Sequence, residues 1–114
     1  MLRLGVAFLW LIHFLPFSVI SAIGRALGRI VHWSGQARTA RLNINACFPN
    51  MPQAEREQLI KTHFAYLGES VMALGLLWWA SAQRIASLVQ VEGVENYLPF
   101  RGNKPVIGFA PHFV

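Results

Sequence analysis

Apolar residues fill the first part of the chain almost without interruption, and helical periodicity replaces that continuity only after the first arginines. From Leu4 to Gly24 no residue carries a charge. A helix of that length rises about 31 Å at about 1.5 Å per residue, close to the thickness of a hydrocarbon core. The run predicts a transmembrane or membrane-anchoring helix over residues 1–24. His13, Pro16, Ser18 and Ser21 interrupt it on one side, so a kink near Pro16 in a tilted or half-buried helix is the competing form.

From Ser21 to Arg41 the apolar positions Ile23, Leu27, Ile30 and Val31 recur at helical spacing beside Arg25, Arg29 and His32. This predicts a basic amphipathic helix lying along a membrane face, with its arginines near lipid phosphates, and a turn completing a segment over 25–52. Pro49 and Pro52 set that turn. Gln53 then opens a helix expected to run to Leu77, with Glu55 and Glu57 near its start, where acids complement the helix dipole. Leu59, Ile60, Phe64, Leu67, Val71, Leu74 and Trp78 predict its apolar face. The pair Trp78-Trp79 fits core first, and an interfacial belt or a ligand groove second.

Beyond that helix, Ser81 predicts the N-cap of a short helix over 82–88. Alternation over Val89 to Glu92 predicts a strand, Gly93 breaks it, a short helix fits 94–100, and Arg101 to Lys104 form a turn. Pro105 to Phe109 predict a second apolar strand. The expected fold class is therefore α/β: a membrane helix and amphipathic helices leading into the start of a mixed sheet, with residues 53–114 as the first part of that domain. Two short strands do not make an independently stable sheet. The 114 residues are accordingly expected to be the N-terminal part of a longer protein.

Composition sharpens this division. Hydrophobic residues make up 54% of the chain and charged residues 13%, against roughly 25% charged in soluble domains, and the mean hydropathy is +0.41. A disordered, solvated tail is excluded. The net charge of +5 lies wholly before Glu55, the first acid, because the basic and acidic residues from Glu55 onward cancel. Arginines scattered among aliphatic stretches favour a membrane surface over nucleic acid. A secretory signal peptide also fits the first residues, but one positive charge precedes the apolar run and four follow it closely, which holds the downstream chain in the cytoplasm. Cys47, the one cysteine, excludes an internal disulfide and predicts a small buried hydrophobe.

Candidate chemistry centres on His112. It follows an apolar strand and Pro111, the position at the carboxyl end of a strand where α/β enzymes hold catalytic groups. Three other histidines are read structurally: His13 as a packed imidazole in the apolar run, His32 as part of the basic surface, and His63 as support for the core. Glu69 is read as solvated, with burial against an arginine as the alternative.

The run Arg41 to Pro49, Glu55-Arg56, His63-Phe64 with Leu67-Gly68, the Trp78-Trp79 pair, Val91 to Glu95, and the strand Pro105 to Phe109 leading into Pro111-His112-Phe113 together resemble the bacterial lipid A biosynthesis acyltransferases. The similarity extends along essentially the whole chain. It implies transfer of a fatty acyl chain from acyl carrier protein to a hydroxyl of a lipid A precursor, at the cytoplasmic face of the inner membrane, without a cofactor. His112 matches the histidine of the family's histidine-acid pattern, and the acid would fall at position 117. An imidazole titrates near pH ~6.5 and suits removal of a hydroxyl proton at neutral pH, while a carboxylate orients the ring. The implied partners are membrane lipid, the lipid A precursor and acyl-acyl carrier protein, with no nucleic acid. The fragment alone is expected to be inactive. The alternative is a non-catalytic, membrane-tethered helical protein that binds lipid or a partner.

Overall fold

The computed structural model describes residues 2–102 and 104–109. Five α-helices account for most of them: α1 (Leu2–Ile12), α2 (Phe17–Val31), α3 (Arg38–Cys47), α4 (Gln53–Trp79) and α5 (Ala82–Leu88). The chain divides into two compact units, 1–80 and 81–114.

The expected helix over 1–24 is broken in two. Ile12 ends α1, and Pro16, with φ −55°, starts α2. A proline has no N–H to continue the earlier ladder, but its fixed φ suits a helix start. Its carbonyl accepts from the N–H groups of Val19 (3.0 Å) and Ile20 (3.2 Å). The apolar run is thereby divided between helices of 11 and 15 residues, the second carrying Arg25 and Arg29. Among the described residues no helix is long and apolar enough to cross a membrane, which corrects the expected membrane helix.

The amphipathic helix expected from Ser21 to Arg41 also breaks. α2 ends at Val31, a wide turn follows over His32–Gln36, and α3 restarts the chain. Gly35 has φ 89°, a conformation that a side-chain-bearing residue adopts only with strain. α4 begins after Pro52, whose carbonyl accepts from Glu55 (3.0 Å) and Arg56 (3.1 Å). Nη1 of Arg56 reaches back to the carbonyls of Phe48 and Pro49, at 3.2 Å each, tying the start of α4 to the turn after α3; the Phe48 carbonyl also accepts from the N–H of Met51 (3.2 Å).

α4 is the element on which the others pack. α2 runs antiparallel to it, with Gly24 beside Gly68 and Glu69, and Gly28 beside Phe64 and Ala65. The approach is backbone to backbone. A Cβ at Gly24 would lie 2.5 Å from the Cα of Glu69, and one at Gly28 would overlap the carbonyl of Phe64. Gly68 is constrained in the same way from the opposite helix, and Gly75 faces the carbonyl of Leu9, which would stand 2.6 Å from an added Cβ. Small residues at spacings of four and seven let helices approach this closely.

Two apolar clusters flank the glycine crossing. Leu9, Ile12, Ile20, Met72 and Leu76 form one, with Trp79 partly buried against it. Ala37, Ile60 and Phe64 form the other, with Ala40, Ile44 and Leu67 at its edge. The buried stripe of α4 is therefore Ile60, Phe64, Met72, Gly75 and Leu76. Leu59, Val71 and Trp78, expected on that face, are exposed. On α2 the buried positions are Ile20, Gly24 and Gly28, while Leu27, Ile30 and Val31 point outward. The glycines take the inner face because only they permit the close approach; the aliphatic residues are displaced from it. Cys47 is exposed rather than buried, since it lies on the last turn of α3, past the α3 contacts made by Ala37, Ala40 and Ile44.

In the second unit, the backbone N–H of Arg84 donates to Oγ of Ser81 at 3.3 Å, so the predicted cap and the bounds of α5 stand. The expected sheet does not. Among the described residues there is no strand: Val89 to Glu92 and Pro105 to Phe109 lack ladder partners, and 94–100 forms two single 3-10 turns, Val94–Asn96 and Leu98–Phe100. The α/β expectation is corrected accordingly. Apolar alternation marks a segment suited to a sheet, but a strand exists only when its backbone groups are paired across a ladder.

Candidate functional site

His112 lies outside the described residues, as does Pro111. The segment that leads to it is described as far as Phe109, and there Ile107 is 94% and Phe109 90% exposed.

The remaining histidines sit in the first unit and play separate parts. His13 is buried; its Nδ1–H donates to the carbonyl of Trp10. Its ring lies 3.9 Å from that of Phe14 and 6.2 Å from that of Trp79, centroid to centroid, so it closes the end of α1 against the core. Trp79 packs inward and Trp78 outward, their rings edge to face at 5.4 Å. His63 meets Phe64 edge to face at 5.4 Å. His32 also packs edge to face with Phe64, at 5.8 Å, and its Nε2 is enclosed without a hydrogen-bond partner.

Two ion pairs cross from the N-terminal helices to α4. Nε of Arg25 donates to Oε2 of Glu69 at 2.7 Å, and the guanidinium lies 5.2 Å from the centre of the Tyr66 ring. Arg41 binds Glu57 in bidentate fashion, at 2.7 and 3.0 Å, the fork geometry that suits arginine and carboxylate. The hydrogen bond from Arg25 holds the Glu69 carboxyl below its ordinary pKa, as that from Arg41 does for Glu57; both guanidiniums are correspondingly raised. Glu69 thus pairs with an arginine, the alternative to the solvated reading.

Between these pairs lies a basic cleft of about 450 Å³, formed by α2, the wide turn and α4, with Arg25, Arg29, His32, Lys61, Gln58 and Thr62 among its walls. A second groove of similar volume, about 450 Å³, is almost wholly apolar and runs between α1 and Trp79. The basic cleft was hidden in the sequence. Arg25 and Arg29 stand one turn apart on α2, and Gln58, Lys61 and Thr62 share a face of α4, but only the antiparallel glycine register brings the two sets together. Among the described residues no group of three His, Cys, Asp or Glu side chains is placed to hold a metal ion.

Comparison with known proteins supplies what local geometry does not. The model of the family described as bacterial lipid A biosynthesis acyltransferase matches residues 1–114. The chain is 31% identical over 103 residues to a lipid A biosynthesis lauroyltransferase of Escherichia coli (strain K12), covering 89% of this chain and 34% of that protein. It is 30% identical over 115 residues to a lipid A biosynthesis acyltransferase of Haemophilus influenzae, covering 97% of this chain and 37% of the other. A lipid A biosynthesis palmitoleoyltransferase of Escherichia coli (strain K12) is 32% identical over 94 residues, which is 81% of this chain and 31% of that one. The chain thus spans about a third of the length of the curated relatives it matches. No solved structure matches it. With the family match running through every residue from the first helix to His112 and beyond, the chain belongs to the bacterial lipid A biosynthesis acyltransferase family.

Proposed function

We propose that the protein takes part in fatty acyl transfer from acyl carrier protein to a hydroxyl of a lipid A precursor, with His112 as general base. The observation that carries this reading is the family match through residues 1–114, which includes the Pro111-His112-Phe113 run. His112 takes the hydroxyl proton as the oxygen attacks the thioester carbonyl; the carbon–sulfur bond then breaks and the carrier thiolate accepts a proton. An acid at position 117 orients the ring and stabilises the imidazolium. The 114 residues alone are inactive in this reading, and the acyl chain is left unassigned because the relatives' names differ on it.

The reaction takes place at the cytoplasmic face of the inner membrane. Supporting this, α1 turns Leu4 (76% exposed), Leu11 (61%) and Phe14 (61%, just past its end) away from the core formed by Leu9 and Ile12, leaving an apolar surface suited to the headgroup and acyl boundary. In a protein of the relatives' length, His112→Ala is expected to abolish transfer in an assay with acyl-acyl carrier protein and a lipid A precursor, while membrane sedimentation is retained. Persisting turnover would remove His112 from the mechanism. Membrane binding by the unaltered protein without any transfer would support the non-catalytic, lipid-binding reading instead.

A further inference from the structure

We infer that the basic cleft between α2 and α4 binds the phosphate group of a membrane lipid. Four positively charged or protonatable groups converge on it, Arg25, Arg29, Lys61 and His32, and no carboxylate lines it. The two acids nearby are already engaged: Glu69 holds Arg25, and Glu57 is bound through both oxygens by Arg41. Among the described residues Arg29 therefore faces the cleft without an ion-pair partner, and Lys61, within the field of Glu57, makes no direct carboxylate contact. Gln58 and Thr62 add neutral donors, and the enclosed Nε2 of His32 has no protein partner, a state that usually costs free energy unless a ligand or solvent satisfies the atom. A volume of about 450 Å³ falls within the range of roughly 300–1,000 Å³ typical of small-molecule sites.

The surroundings decide the source of the phosphate. Trp33 lines the cleft and is 77% exposed, and Ile30, one residue from Arg29, is 57% exposed. Cations set directly beside outward apolar and indole side chains are the pattern of a segment lying at a lipid surface. A docking face for an acidic soluble protein would not need that apolar rim. The inference does not depend on the acyltransferase proposal, because lipid binding is measured without acyl transfer.

The test is co-sedimentation of the full chain with vesicles of phosphatidylcholine alone or with about 20 mol % phosphatidic acid, where each cation near the anionic surface contributes a factor of about five. Arg29→Gln with Lys61→Gln should weaken binding to the phosphatidic acid vesicles about 25-fold and leave binding to phosphatidylcholine unchanged. Arg101→Gln with Lys104→Gln removes the same charge elsewhere and should change binding less than about threefold. Lys61→Arg should bind like the parent; Lys61→Gln alone, at an exposed position, should lose about fivefold and serves if the double variant fails to fold. Equal losses in the two double variants would assign binding to diffuse charge and overturn the inference. So would inorganic phosphate bound as tightly as the vesicles, or a cleft variant that lost affinity for acyl carrier protein while keeping phosphatidic acid binding.

Discussion

The two units of this chain use apolar residues in opposite ways. In residues 2–80, helices whose backbone groups are already satisfied within each element bring Ile20 and Ile60 to zero exposure. In residues 81–109, Val91, Ile107 and Phe109 remain 69%, 94% and 90% exposed, and no described residue is fully enclosed. Apolar content alone does not separate the two. A helix closes its own hydrogen bonds and needs a neighbour only for one face, whereas an extended segment needs a partner for its backbone as well as for its side chains.

The largest contrast should come from truncating matched side chains. Ile60→Ala is expected to destabilise the protein by about 2–5 kcal/mol, because it leaves a cavity between α3 and α4. Ile107→Ala should change stability by less than about 0.5 kcal/mol. Urea titration followed by circular dichroism measures both, and equal losses would dissolve the distinction. Hydrogen exchange sharpens it further: amides of Ile60 to Leu76 should be protected to the limit of global unfolding, and those of Val106 to Phe109 should exchange nearly as fast as in an unstructured peptide. Strong protection in the second segment would mean that it is paired.

A smaller effect concerns the ion pairs of the first unit. Glu57 and Glu69 have folded-state pKa values below their ordinary value of 4.5. Their contribution is therefore complete above that value and is lost as pH falls through the depressed folded-state values. Tm should drop on acidification below about pH 4.5, and Glu57→Gln with Glu69→Gln should flatten that dependence. The effect is modest because the arginine partners are 45% and 44% exposed. An unchanged pH profile in the double variant would assign acid sensitivity to other groups.

The local signals in the sequence that hold are those with a backbone mechanism. Pro52 and Glu55 mark the start of α4, Ser81 caps α5, and Pro16 interrupts the first apolar run. What periodicity misassigns is the inner face of α2. Ile23, Leu27, Ile30 and Val31 make the apolar stripe, yet the helix turns its glycines inward and leaves most of those residues outside. Gly24, Gly28, Gly68 and Gly75 carry no apolar side chain, so a hydropathy pattern passes over them, although they set how closely the helices approach. The basic cleft follows from that same register and was equally hidden. The proposal for His112 rests chiefly on its surrounding motif, because a single histidine after a proline has no distinguishing spacing.

One measurement tests the close crossing of α2 and α4 most directly: thermal unfolding of two variants bearing the same substitution in helix interiors. At Gly5 nothing lies within 4 Å of an added Cβ, so Gly5→Ala should stabilise the protein by about 0.5–1 kcal/mol through helix propensity. At Gly28 the added methyl meets the backbone of Phe64, so Gly28→Ala should destabilise it by about 1–3 kcal/mol or more. Opposite signs are the predicted result; a neutral or stabilising Gly28→Ala would contradict the crossing and, with it, the register that builds the cleft.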